Sequence, residues 1–207
     1  MAYCVFRLFT EKQPDEHRFE RVRSEVLPKI AEIPGFQRFA AFRTNDGRYG
    51  GFQVYDTKDG VEQAVRVFNE WRERAGNKDP MSLEARGETG LSIVVNPNYE
   101  RAHGTVRIYK TSASFSEVNT AIDHEGGEAI RTLPGMLRHT TVRFDDARIA
   151  TFTACESEEA SRKMVEKAKE FRSKAGSQLA KVLPNDPEVI SGEVELSLTK
   201  SQVLAHA

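Results

Sequence analysis

Two arginines stand one hundred residues apart in runs that alternate as β-strands do, Arg7 in "YCVFRLF" and Arg107 in "TVRIY". A guanidinium is charged at every physiological pH and donates several hydrogen bonds, so a buried one can stabilise an enolate. His103 and His139 could accept the proton of such a substrate, because imidazole titrates near neutrality. We therefore take Arg7, His103, Arg107 and His139 as candidate catalytic residues, with no role yet assigned to any of them.

Other polar and aromatic residues are expected to line the same ligand pocket. They are Tyr3, Gln53, Tyr55, Tyr109 and Trp71. Structural alternatives stay open for several candidates. An inward arginine can pair with a glutamate, and Trp71 lies on an apolar helical stripe that favours core packing. The direction of His139 depends on the hairpin before it, because a two-residue and a three-residue turn send it to opposite faces.

The chain carries an internal repeat. "EIPGFQRFAAFRTNDGRYGGF" from Glu32 returns as "TLPGMLRHTTVRFDDARIATF" from Thr132, and the spacing of 100 holds from Arg7 to Gly76. A five-residue insertion around "LPNDP" then shifts the spacing to 105, so that "GETGLSI" matches "GEVELSL". Two copies of this length indicate a duplicated domain. We predict repeats at 1–97 and 103–200, joined by a short linker at 98–102.

Each copy shows the element order βαββαβ. A strand is followed by a helix that ends at Pro-Gly, by two strands around a turn, by a second apolar-striped helix and by a last strand. The first helix is expected to kink at Pro28 in one copy and at Gly126-Gly127 in the other. The order predicts an α+β class with two ferredoxin-like βαββαβ repeats.

The two faces of the first strand differ in composition, which predicts where the site lies. One of its faces carries only apolar residues and is expected to pack on the helices, while the other face is mixed. The two sets are Cys4, Phe6 and Leu8, and Tyr3, Val5, Arg7 and Phe9. A mixed face needs cover, so the copies are expected to cover each other as an intramolecular pseudo-dimer with the site between the sheets. Exposed sheet edges leave further self-association open.

Several stretches resemble the dimeric α/β-barrel superfamily, and within it the antibiotic biosynthesis monooxygenase-like proteins. They are "IPGF", the closing helix segments "FNEWRERAG" and "AKEFRSKAG", and "LPNDPEVISGEVEL". The resemblance covers essentially the whole chain, one family unit per copy, and implies an intramolecular dimeric α/β-barrel. The superfamily includes cofactor-independent oxygenases of polyketide quinones, haem-degrading oxygenases, muconolactone isomerase-like enzymes and chlorite dismutase relatives.

For the haem-degrading members, the resemblance implies a site made of an Asn on the first strand and a Trp and a His on the second helix. Here the first strand carries Arg7 or Arg107 and neither second helix has a His. We therefore expect no haem and no other cofactor. Cys4 and Cys155 lack metal-ligand spacing, so no metal is expected and both should be buried, reduced thiols.

Composition excludes several classes of partner. The 30 Lys and Arg residues balance 31 Asp and Glu residues, for a net charge of -1, so neither nucleic acid nor a membrane surface is an expected partner. No run is long and apolar enough to span a membrane, and the first residues lack the pattern of a secretory signal. We expect a cytoplasmic protein.

Two functions remain open at this point. One is a cofactor-independent monooxygenase or isomerase acting on a small aromatic or polyketide-like compound. The alternative is a non-catalytic small-ligand-binding or stress-associated barrel protein. Both predict a small-molecule ligand in a pocket that contains one or both arginines.

Overall fold

The computed structural model describes residues 2–10, 17–76 and 79–205. The strands of this part of the chain are β1 (Tyr3–Phe9), β2 (Phe36–Thr44), β3 (Tyr49–Tyr55), β4 (Met81–Val94), β5 (Ala102–Lys110), β6 (Met136–Arg143), β7 (Arg148–Cys155) and β8 (Glu188–Thr199). The α-helices are α1 (Arg18–Arg21), α2 (Leu27–Ala31), α3 (Lys58–Arg74), α4 (Phe115–Thr132), α5 (Glu158–Ser173), α6 (Gln178–Val182) and α7 (Lys200–Ala205). A π-helical turn, Val22–Val26, joins α1 to α2.

Hydrogen bonds join neighbouring strands in the order β1-β3-β2-β8-β5-β7-β6-β4. The predicted α+β class and the repeated βαββαβ order are confirmed. The chain divides into two compact units, unit 1 (Met1–Gly87 with Glu193–Ala207) and unit 2 (Glu88–Gly192). β4 and β8 therefore each begin in one unit and end in the other. The repeat boundaries at 1–97 and 103–200 stay a prediction about the sequence.

Unit 1 packs its helices on one face of the antiparallel sheet formed by β1, β3 and β2. The α3 helix begins where the Thr57 hydroxyl accepts a hydrogen bond from the Gly60 amide at 3.1 Å. Its apolar stripe is buried as predicted, and it includes Val61, Ala64, Val65, Phe68 and Trp71. α7, which the sequence did not predict, contacts α2 and β2 and buries Val203 in the same core.

The first helix of unit 1 is irregular at the predicted place. The π-helical turn lies directly before Leu27-Pro28, where proline cannot donate the regular helical hydrogen bond. Local unwinding at the corresponding place in unit 2 is not found, and a kink there stays a prediction. There α4 continues through Gly126-Gly127, because glycine keeps its amide donor and lowers helix stability without preventing the helical hydrogen bonds.

The prediction of which strand face meets the helices is also wrong. Val5 and Phe9 lie in the core with the helices, and the Arg7 guanidinium lies 4.6 Å from the ring centre of Phe68 on α3. The opposite set is buried as well, with Phe6 stacked on Phe42 of β2 at 5.8 Å. When both faces of a sheet are buried, apolar alternation no longer distinguishes them.

Unit 2 builds the same layers on β5, β7 and β6, which pair antiparallel. Its α4 helix begins with a capping box, in which Ser114 and Glu117 each accept a hydrogen bond from the other's backbone amide. A short helix, α6, directly precedes the predicted insertion around "LPNDP" and contacts both α4 and α5. Among the described residues, none of the helices combines the length and the apolar composition that crossing a membrane requires.

Candidate ligand pockets

Each unit contains a pocket between its sheet and its helices. The unit 1 pocket is lined by β1 and β3 residues together with aromatic residues of α3, and the unit 2 pocket by the corresponding strands with α4, α5 and α6. The cavities measure about 30 Å³ and about 40 Å³ respectively. This is room for two or three water molecules, since one needs about 10–15 Å³ by the same measure. Larger ligands enter only if lining side chains move.

Arg7 in the unit 1 pocket is neutralised. Its Nε donates to Glu84 at 3.0 Å, and its side chain is only 3% exposed. Arg86 donates to the same carboxylate and also pairs with Glu62 at 2.7 Å. Burial alone would raise the pKa of Glu84, but the hydrogen bonds and positive charges of Arg86 and Arg7 hold it below its usual value. The alternative of a structural ion pair therefore applies to Arg7.

Arg107, the corresponding residue of unit 2, has no carboxylate partner among the described residues. It is 2% exposed, and its Nε and Nη2 donate only to the hydroxyls of Thr151 and Thr153, at 3.3 Å and 3.2 Å. Its Nη1 is buried without a hydrogen-bond partner. A buried and unpaired cation is costly, which makes the space beside Nη1 a place where an anion is stabilised.

The difference between the arginines traces to one substitution. At the spacing of 105, the residue that corresponds to Glu84 is Val189. Thr105 lies 3.3 Å from Ser191 across β5 and β8, and residues two positions apart on a strand share a face, so we expect Val189 on the Arg107 side of β8. Valine cannot accept a hydrogen bond, and Arg107 keeps its charge unmatched. The replacement of Glu84 by Val189 at the spacing of 105 is visible in the sequence and distinguishes the two arginines.

His139 faces the unit 2 pocket. It pairs with Thr153 in the β6–β7 register, and its Nδ1 lies 3.0 Å from the Thr153 hydroxyl that also accepts from Arg107. Burial, with a further contribution from the Arg107 charge, lowers the pKa of His139 to about 3, so the ring is neutral at physiological pH. Its Nε2 is buried without a partner. When Nδ1 carries the proton and donates to Thr153, Nε2 is a free acceptor.

Most of the remaining wall of the unit 2 pocket is apolar and is completed by α6. Arg172 on α5 adds a second cation to the lining and pairs with Asp186 at 3.2 Å. Ile122, Ile130, Met164 and Phe171 come from α4 and α5, and Leu179 comes from α6. Glu125 on α4 holds α6 in place. Its carboxylate accepts hydrogen bonds from the Ser177 hydroxyl at 2.8 Å and from the backbone amides of Gln178 and Leu179. These contacts satisfy the free amides that begin a helix.

The other candidate residues divide between the units. Gln53 and Trp71 line the unit 1 pocket and Tyr109 lines the unit 2 pocket, whereas Tyr3, Tyr55 and His103 lie outside both linings. Tyr55 donates to the Gln53 side-chain oxygen at 3.0 Å. His103 is buried with both ring nitrogens unpartnered. In unit 2 the structure therefore brings together Arg107, His139 and Tyr109.

Metal-ligand clusters are not found in residues 2–10, 17–76 and 79–205. No three His, Cys, Asp or Glu side chains of these ranges come together so that they could hold an ion. Cys4 and Cys155 are buried free thiols. Burial raises the pKa of both, that of Cys155 to about 11, so they stay protonated at neutral pH.

Solved structures with low sequence identity share this fold. An anthrone oxidase-like protein matches with a TM-score of 0.64 and 12% identity over 100% of this chain and 96% of its own. A candidate monooxygenase from Lactobacillus acidophilus NCFM matches with a TM-score of 0.61 and 11% identity over 96% and 98%.

A major regulator of staphylococcal pathogenesis matches with a TM-score of 0.54 and 10% identity over 93% of this chain and 98% of its own. No family model and no curated protein matches the sequence. Likeness at these identities establishes the fold, and proteins with different functions share it. The function has to be argued from the pockets.

Proposed function

We propose that the unit 2 pocket binds a small aromatic compound with an ionisable enol or phenol and oxygenates it without a cofactor. The observation that carries this proposal is the Arg107 guanidinium, which has no carboxylate partner among the described residues and a free Nη1 in a mostly apolar pocket. An enolate oxygen placed against Nη1 would give the buried cation its missing partner. The names of two structural neighbours, an anthrone oxidase-like protein and a candidate monooxygenase, agree with this chemistry.

The reaction needs no oxidant besides dioxygen and no cofactor. Removal of a proton from the CH₂ group of an anthrone-like substrate leaves a carbanion whose charge is shared with the ring oxygen. That anion donates an electron to dioxygen, and the two radicals join as a peroxide. Protonation and loss of water leave a carbonyl, so one oxygen atom enters the product and the other leaves in water with the two substrate hydrogens.

Arg107 and His139 have separate roles in this scheme. Arg107 stabilises the oxyanion, which lowers the pKa of the substrate. His139 Nε2 accepts the proton. Its own pKa is low partly because of the nearby Arg107 charge, and the negative charge that forms on the substrate offsets that repulsion as the proton moves. Protonation of the same carbanion at another carbon would be isomerisation instead.

Oxygen uptake with anthrone and a set of hydroquinones tests the proposal. Arg107→Met should reduce the rate by about 100-fold or more, the usual loss for one oxyanion donor. Arg162→Met, which removes an exposed arginine paired with Glu166 on α5, is the charge-matched control and should leave the rate unchanged. Uptake that is equally fast in Arg107→Met and the wild type would rule out this role for Arg107.

Non-catalytic binding is the second candidate, and the pKa of His139 favours it. A base with a pKa of about 3 is weak, and the same pocket could bind an aromatic anion without removing any proton. This function predicts saturable binding of benzoate, loss of that binding in Arg107→Met, and no oxygen uptake with any substrate of the set.

A further inference from the structure

The unit 1 pocket is lined by four aromatic rings that pack in two pairs. Phe9 stacks on Tyr49 with ring centres 4.6 Å apart and planes 11° from parallel, and Phe68 lies 5.6 Å from Trp71. All four rings line the pocket and are buried. Rings at these distances pack directly on one another, so a planar aromatic guest would stack on the outer faces of this cluster and not between its paired rings.

Charge in this pocket is balanced, unlike charge in the unit 2 pocket. Two cations line it, and each has a carboxylate: Arg7 pairs with Glu84 at 3.0 Å, and Arg18 lies 3.9 Å from Asp79. An anionic guest would have to compete with these carboxylates and would lose its hydration on entry. An uncharged guest meets neither cost.

One polar atom in the pocket still lacks a partner. Arg7 Nη2 is buried and makes no hydrogen bond, although the Nε of the same side chain is bonded to Glu84. A buried N–H without a partner costs about 1–3 kcal/mol, which an acceptor atom on a ligand would recover. Because the Arg7 charge is already matched, a neutral carbonyl oxygen is the fitting acceptor.

Gly51 leaves space in the unit 1 pocket on the side of the sheet. It pairs with Arg7 and Ala41 in the sheet, where glycine weakens a strand. A Cβ at Gly51 would meet its nearest atom, the Ala40 carbonyl oxygen, at an ordinary 3.5 Å. Gly50 differs, because a Cβ there would lie 2.5 Å from the Phe42 ring. Packing therefore requires Gly50 but not Gly51, and the corresponding residue in unit 2 is Thr151.

We infer that the unit 1 pocket is a second and separate binding site, selective for an uncharged aromatic carbonyl compound. The ring of the ligand packs against the aromatic side chains above Gly51, and its carbonyl oxygen accepts from Arg7 Nη2. Because the cavity measures about 30 Å³, the lining side chains move apart when the ligand enters. The two units thus select ligands of different charge, neutral in unit 1 and anionic in unit 2. The inference depends on the contacts of unit 1 and not on any reaction in unit 2.

Acetophenone and benzoate form a matched pair of probes, because they have the same number of non-hydrogen atoms and differ in charge. Trp71 is the single tryptophan of the chain and lines the unit 1 pocket, so its fluorescence reports binding there directly. Titration of the full-length protein with acetophenone should quench this fluorescence to saturation. Benzoate should need at least a tenfold higher concentration for any effect on Trp71.

Gly51→Thr tests the location of the site. It introduces the side chain that unit 2 already carries, in a strand where threonine is favoured, so the fold should be retained. It should weaken acetophenone binding at least tenfold and leave the calorimetric binding of benzoate unchanged. Arg107→Met should have the opposite pattern. Acetophenone quenching that is linear rather than saturable, that survives Gly51→Thr, or that disappears in Arg107→Met would overturn the inference.

Discussion

Val189→Glu should convert the unit 2 pocket into one with a neutralised arginine. In unit 1 the carboxylate at the corresponding position accepts a hydrogen bond from Arg7 at 3.0 Å, and the contact of Thr105 with Ser191 leads us to expect position 189 on the Arg107 side of β8. The introduced carboxylate would then occupy the donors that an anionic ligand needs. Binding of benzoate should weaken, while the protein itself gains a partner for a buried cation.

The size of this effect follows from the interaction that is lost. A hydrogen bond to a charged group contributes about 1.5–3 kcal/mol, and every 1.4 kcal/mol is tenfold in affinity. Two unit charges 4 Å apart attract by about 4 kcal/mol at the effective dielectric of a protein surface. Val189 is 47% exposed, so water screens part of that attraction and the lower figures apply. We expect a 10- to 100-fold loss of benzoate affinity.

Calorimetric titration at pH 7 measures this loss. Val189→Gln is the control, because glutamine has nearly the size of glutamate and carries no charge. The control should bind benzoate within about twofold of the wild type, since an amide leaves the Arg107 charge in place. If Val189→Glu binds benzoate as well as the wild type, Arg107 is not the anion partner. If both variants lose affinity equally, the effect is steric and the charge argument fails.

Three further predictions concern unit 2 and the thiols. The pKa of His139 in the folded chain, about 3, lies below its ordinary 6.5. The contribution of neutral His139 to the free energy of unfolding is therefore fully present above pH 6.5 and falls by about 1.4 kcal/mol per pH unit below it. Urea unfolding at pH 7 and pH 5 should differ by about 2 kcal/mol more in the wild type than in His139→Phe. Glu125→Ala should cost about 1 kcal/mol through lost capping and speed hydrogen exchange of the 178–182 amides, with exchange in α3 unchanged; equal rates in α6 would refute the capping role. Cys4 and Cys155 should resist a thiol reagent at pH 8 until denaturant is added, and rapid labelling of the native protein would contradict their burial.

The order of the elements could be predicted from the sequence because its signals are local. Pro34-Gly35 and Pro134-Gly135 end the first helices, and both glycines adopt a positive φ, 77° and 78°, that other residues rarely take. The apolar stripe of α3 likewise follows from spacing alone. These features need no knowledge of what packs against them.

The sites depended on contacts that local patterns do not contain. The face of Arg7 could not be assigned, because both sides of β1 are buried and a buried arginine is placed by its partner Glu84, 77 positions away. α6 lies in a stretch too short for a helical period, and Glu125 on α4 supplies its cap. His139 was identified as a candidate, but only the strand register decided its direction.

The continuity of β4 and β8 makes the two units dependent on each other in folding. Because each of these strands begins in one unit and ends in the other, unit 1 is assembled from two separate segments of the chain. Unit 2 connects these two segments, so its unfolding would leave them joined only by an unfolded stretch of chain. A ligand that stabilises one pocket should therefore raise the thermal stability of the whole chain in a single transition, and occupancy of either pocket becomes thermodynamically linked to the order of both units.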